Sequence, residues 1–138
     1  MAKASVLAVS ISISGEGVDP DEVSETLGAE PDRSHRVGDV LSAESSARRR
    51  TGLWCITTQA SAADEVLLAD HVAALLGRVN MDTGIWRQLA GRHNTRVSIG
   101  WFMGDGNEAL RVDAATLDEL ARRGLLLDIE VYAPPADE

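Results

Sequence analysis

Near the end of the chain, the stretch "LLLDIEVYA" carries Asp128 and Glu130 two residues apart, a spacing at which carboxylates can share acid–base work. On an extended segment, residues i and i+2 share a face about 6.5–7 Å apart, close to the separation used by paired carboxylates at a glycosidic bond. That chemistry also needs a groove and an apolar surround that raises one of the two acids, and nothing in the flanking sequence supplies either. The neighbours fit a plainer pattern. Leu125, Leu127, Ile129 and Val131 alternate with Asp128 and Glu130, as in a half-buried strand whose acids face water.

The other reactive residue types are sparse. His35 sits in a polar stretch and His71 follows Asp70 in a helical pattern. His93 follows Arg92 at a helix end, where a positive ring suits the helix dipole. No two histidines have the i, i+4 spacing of a zinc-binding helix, so no metal is expected. Cys55 is the single cysteine, which rules out a disulfide within the chain and a thiolate cluster. It shares a strand face with Leu53 and reads as a small buried hydrophobe, since no activating residue is near it in sequence. The "GEG" and "GDG" stretches never continue into a phosphate-loop pattern and read as turns. Arg48, Arg49 and Arg50 read as a solvated loop. No catalytic residue and no cofactor is expected. The tryptophans Trp54, Trp86 and Trp101 are three of only five aromatic residues. They either fill the core or, on an open sheet face, anchor a partner.

The elements that position these residues follow from periodicity. Residues 6–14 alternate Leu7, Val9, Ile11 and Ile13 against Ser10, Ser12 and Ser14, a strand pattern. A short helix over 20–27 starts at the cap Asp19 with Pro20 in its first turn, and stops at Gly28. Residues 32–50 are polar, with "RVGDVLS" as a short edge strand or turn. "GLWCITTQ" is a second strand, with Trp54 and Ile56 on one face and Leu53 and Cys55 on the other. A helix over 62–78 takes Ser61 as its cap and Asp64 and Glu65 in its first turn, and a second piece starts at Asp82. "TRVSIGWFMG" is a third strand, with Val97, Ile99, Trp101 and Met103 on one face and Arg96, Ser98, Gly100 and Phe102 on the other. A helix capped by Asp113, with Leu117 and Leu120 inward, stops at Gly124 and leads into the last strand. The order β-α-β-(αα)-β-α-β suggests an α+β ferredoxin-like sandwich: a four-stranded antiparallel sheet with helices on one face. The helical pair over 62–92 would be an insertion between two βαβ halves. One domain over 1–138 is expected, with 133–138 as a frayed tail.

Several features taken in order give the chain a family likeness: "SISG", a short helix ending "LGAEP", Gly38, a strand opening "GLWCITT", a long helix and the closing "LLLDIEVY". In that order they resemble the bacterial domain of unknown function 4279 family over nearly the whole chain. The resemblance implies a small bacterial protein without an established activity, in the manner of immunity or accessory proteins, and it brings no catalytic residues.

The net charge of −9 disfavours nucleic acid and anionic lipid as partners. No run approaches the roughly 20 apolar residues that span a bilayer. The serines of "MAKASVLAVSISISG" interrupt the apolar core of a secretory signal, so a cytoplasmic protein is expected. The functional expectation is a non-enzymatic binding or interaction module that covers a basic protein partner or associates with itself. The alternative is a small-molecule sensor or weak enzyme with a pocket between the sheet and the inserted helices, near Trp54, Trp86 and His93. The residues expected to touch a ligand or partner are Trp54, Trp86, Trp101, His93, Asp128 and Glu130.

Overall fold

A computed structural model describes residues 5–44, 46–63 and 67–134. The chain runs β1 (Val6–Gly15), α1 (Pro20–Leu27), β2 (Arg33–His35), β3 (Gly52–Thr57), β4 (Ser61–Ala62), α2 (Leu68–Leu76), α3 (Thr83–Arg92), β5 (Asn94–Phe102), α4 (Ala114–Arg122) and β6 (Leu126–Tyr132). β1 is the hub. Its residues 10–15 pair antiparallel with β3 and its residues 6–7 with β4, while its other edge pairs antiparallel with β5 over residues 6–14.

The alternation of β1 decides the layers. Leu7, Val9, Ile11 and Ile13 are buried on one face, beside Trp54 and Ile56 of β3 and Val97 and Ile99 of β5. Val23 and Leu27 of α1, Val72 and Leu75 of α2, Trp86 and Leu89 of α3 and Leu120 of α4 complete the same core. Each buried indole N–H has a partner, as an apolar surround requires. Trp54 Nε1 donates to Ser24 Oγ at 3.0 Å, and Trp86 Nε1 donates to Asn80 O at 2.8 Å. On the opposite face, Ser10, Ser12, Ser14 and Ser98 are half-buried in a serine-rich layer.

The α+β class stands, but the four-stranded ferredoxin-like sheet does not. Among the described residues the sheet has six strands in the order β2-β3-β1-β5-β6, with β4 beside β1. It is not wholly antiparallel, because β5 and β6 run parallel from Arg96↔Leu126 to Phe102↔Tyr132. The partition into halves also changes. β2 runs parallel to β1 with β3 between them, and β5 runs parallel to β3 with β1 between them. The helices α2 and α3 therefore form the crossover from β3 to β5 rather than an insertion. The reversal that makes this possible is β2, three residues long, which lies just before the "RVGDVLS" island; within that island, Val40 makes only an isolated bridge to Arg48.

Three local expectations also change. Ser61 lies in β4 and does not cap α2, which starts at Leu68 with no side-chain cap. Asp64 and Glu65, expected in that helix's first turn, lie outside the described residues, as do 135–138 of the expected tail. In α4, Thr116 takes the inward place expected of Leu117, which is exposed. The caps Asp19, Asp82 and Asp113 hold as expected, each accepting from a first-turn N–H.

Gly52 opens β3 where the backbone of the β1–α1 connection crosses it. A Cβ there would lie 2.1 Å from Val18 O, so only glycine fits. Gly52→Ala should destabilise the fold by at least about 2 kcal/mol through a clash with backbone. Gly106→Ala, where a Cβ would meet nothing within 4 Å, should stay within about 0.5 kcal/mol. Urea unfolding distinguishes the two, and equal midpoints would contradict the packing described.

Candidate functional site

The chain leaves one side of its sheet incompletely covered. β6 is an outer strand, and α4, which leads into it, buries Thr116 and Leu120 but not Leu117. In β6, Leu127 reaches the core, but Ile129 and Val131 are 45% and 54% exposed although they share its side of the sheet. This corrects the expectation that both point into a covered layer, and the reason is the reach of the helical roof. On the other face, Leu126, Phe102 and Tyr132 are also exposed. Five of the eleven exposed large apolar side chains among the described residues thus lie at one edge, two on one face of the sheet and three on the other, in a patch that wraps around the β5–β6 edge.

The patch has internal order. The rings of Phe102 and Tyr132, cross-strand neighbours, stack with centroids 4.5 Å apart and planes 8° apart. Tyr132 OH donates to Glu130 Oε2 at 2.6 Å, and the nearby carboxylate raises the phenol above its ordinary pKa. Arg96 of β5 donates to Asp128 Oδ2 at 2.8 Å. Both partners of that pair are about two-fifths exposed, so it contributes at most about 1 kcal/mol. Asp128 and Glu130 therefore share the open face, engaged by one guanidinium and one phenol, with no enclosed cleft around them.

The remaining candidates lie apart from this edge. Trp54 and Trp86 are sealed in the core, and Trp101 is half-buried against it, beside Val131 in register. His93 packs over the Gly15–Gly17 turn, lining polar hollows with Asp19, Glu22 and Arg92. Its Nδ1 is shielded from solvent with no hydrogen-bond partner among the described residues. Burial, with Arg92 adding to it, lowers its pKa, so the ring at the end of α3 favours the neutral form. An apolar cavity lies elsewhere: about 360 Å³ bounded by Leu7, Leu67, Leu68 and Leu110, with Arg111 and Asp113 also in its lining. Cys55 is buried, and burial pushes its thiol pKa up, the direction opposite to a reactive thiolate.

Sequence reading missed one polar cluster. His71, 4% exposed, receives hydroxyls at both ring nitrogens: Ser61 Oγ lies 2.9 Å from Nε2 and Thr58 Oγ1 lies 2.8 Å from Nδ1. Thr58 Oγ1 also lies 3.2 Å from Val9 O, and the ring's tautomer decides which nitrogen donates and which accepts, each hydroxyl being able to do either. A hydroxyl on a neutral imidazole is the start of a nucleophile arrangement. The third member here is an uncharged hydroxyl, which does nothing to stabilise an imidazolium, and burial lowers the ring's pKa. The cluster fastens α2 to the β3–β4 corner. Its signal in sequence was only "TTQAS" ten to fourteen residues before a histidine, and no spacing rule joins them. Among the described residues, no group of three or more His, Cys, Asp or Glu side chains is placed to hold a metal ion, and no helix is long and apolar enough to cross a membrane.

Comparison with known families matches the model described as "Domain of unknown function (DUF4279)" over residues 4–134. No curated protein and no solved structure matches the chain.

The titrating groups give stability a definite pH dependence. His71 and His93 have folded-state pKa values below their ordinary value of about 6.5, so the unfolded chain takes up protons first as pH falls. Their contribution is full above about pH 6.5 and declines below it. Asp19, Asp32 and Asp113 are lowered chiefly by the Asp21 backbone N–H, the Arg78 guanidinium and the Thr116 side chain respectively, so their contribution is lost in a separate window below about pH 4. Urea midpoints should fall between about pH 6.5 and pH 5. The fall should shrink in the double variant His71→Gln, His93→Gln; a midpoint that rises over this range would contradict the assignment.

Proposed function

The chain belongs to the family described as domain of unknown function DUF4279, and we propose that it acts as a non-enzymatic protein-binding module whose contact surface is the β5–β6 edge. The observation that carries this reading is the gathering of Phe102, Leu126, Ile129, Val131 and Tyr132 at one bare strand and its neighbour. Exposed apolar patches rimmed by polar groups mark interaction surfaces, and aromatic residues dominate their energetics.

Charge selects the partner's sign. A chain of net charge −9 attracts a basic protein at long range and repels acidic ones. Asp128 and Glu130 within the patch give the same preference at contact. Two polar side chains of reactive type are held by the fold: His71 by two hydroxyls, and Asp113 by the first turn of α4. An immunity-like or accessory role, in which the module covers a basic partner's working surface, fits this chemistry.

Extracts of the cells that make the protein provide the test. The wild type should retain a basic partner at low ionic strength, and Val131→Lys should reduce that retention at least about tenfold. The thermal midpoint of the variant should stay close to that of the wild type, because Val131 is more than half exposed. Equal retention by the two forms would overturn the reading.

A further inference from the structure

We infer that the outer edge of β6 takes up an extended segment of a basic partner as an added strand, with lysine or arginine side chains opposite Asp128 and Glu130 and apolar side chains beside Ile129 and Val131. This rests on the binding reading above and names what sits on the surface. β6 offers seven residues, and among the described residues β5 is its only strand neighbour, so its other edge presents backbone groups that no described strand pairs. An apolar bare edge of this length invites a strand, and main-chain hydrogen bonds supply the affinity in such additions.

The alternation of the edge disfavours a second copy of the chain as its occupant. Two β6 strands related by a two-fold axis pair antiparallel, and residues on the same face must oppose one another. Centred on Ile129, this puts Asp128 against the partner copy's carboxylate at the Glu130 position. Centred on Asp128 or Glu130, it puts identical carboxylates against each other. Like charges directly opposed destabilise a pair. Registers centred on Leu127 or Val131 avoid that contact but overlap only over 126–128 or 130–132 of the strand. The same two acids that disfavour self-pairing favour a basic strand. Arg96 engages Oδ2 of Asp128 and Tyr132 engages Oε2 of Glu130, leaving Oδ1 and Oε1 without hydrogen-bond partners among the described residues. At the end of the strand, the Phe102–Tyr132 stack offers an aromatic face to a further cation.

Synthetic peptides test this on the intact chain. A peptide alternating lysine and valine should shift the backbone amide resonances of residues 126–132 and weaken as ionic strength rises. A peptide alternating glutamate and valine should leave those resonances unmoved. Glu130→Gln combined with Asp128→Asn should weaken the lysine–valine peptide about three- to tenfold. Glu130→Gln alone, which touches only an exposed phenol contact, should give part of that loss and keeps the test valid if the double variant folds poorly. Shifts confined to other strands, equal binding of the acidic peptide, or a β6-paired dimer in sedimentation without peptide would overturn the inference. If the lysine–valine peptide fails while Val131→Lys still releases the natural partner, the added strand is wrong and the surface remains.

Discussion

The alternation of β1 is the constraint on which the rest of the molecule depends. Every second side chain from Leu7 to Ile13 is buried, and both edges of the strand are paired for most of its length. A slip of one residue against either neighbour would carry all four apolar side chains to the serine face and bring the serines into the core. Each buried apolar side chain of this kind contributes about 1.5–3 kcal/mol relative to exposure, so register is strongly specified at the hub. Away from the hub the specification weakens. β3 and β5 inherit the pattern by pairing directly with β1, whereas β6 inherits it only through β5.

That gradient explains the bare edge. The helices cover the sheet where β3, β1 and β5 present Trp54, Ile11 and Val97, and their cover stops short of Ile129 and Val131. The protein leaves apolar side chains at its edge while keeping two acids on the same strand, a common way to hold a bare edge in solution without losing its capacity to pair. Polar chemistry elsewhere is spent on architecture. Thr58, His71 and Ser61 satisfy one another where α2 meets the β3–β4 corner, and Asp32 joins Arg78 while accepting from Thr57 N.

Much of this was legible in the sequence where the controlling interactions are local. The faces of β1, β3 and β5 follow from period two, and the caps Asp19, Asp82 and Asp113 follow from residue type alone. What remained hidden was set by long-range contacts. Three residues at "RSH" form β2 and thereby redirect β3, and their composition carries no strand signal. Ser61 resembles a helix cap but is drawn into β4 by Leu7, fifty-four residues earlier in the chain. Ile129 and Val131 have the pattern of buried residues, and only the placement of α4 reveals that they are bare. The family likeness read from ordered motifs agrees with the matched span of residues 4–134, while the four-stranded sheet inferred from the element order does not survive the parallel β5–β6 pair.

Residue-resolved amide hydrogen exchange of the isolated protein measures this gradient most directly. Amides of β1 that pair with β3 and β5 should exchange only through global unfolding, and those of β6 that face outward should exchange far faster through local opening. Protection of the outward β6 amides equal to that of β1, in the absence of any partner, would mean that the edge is already occupied and would contradict the account.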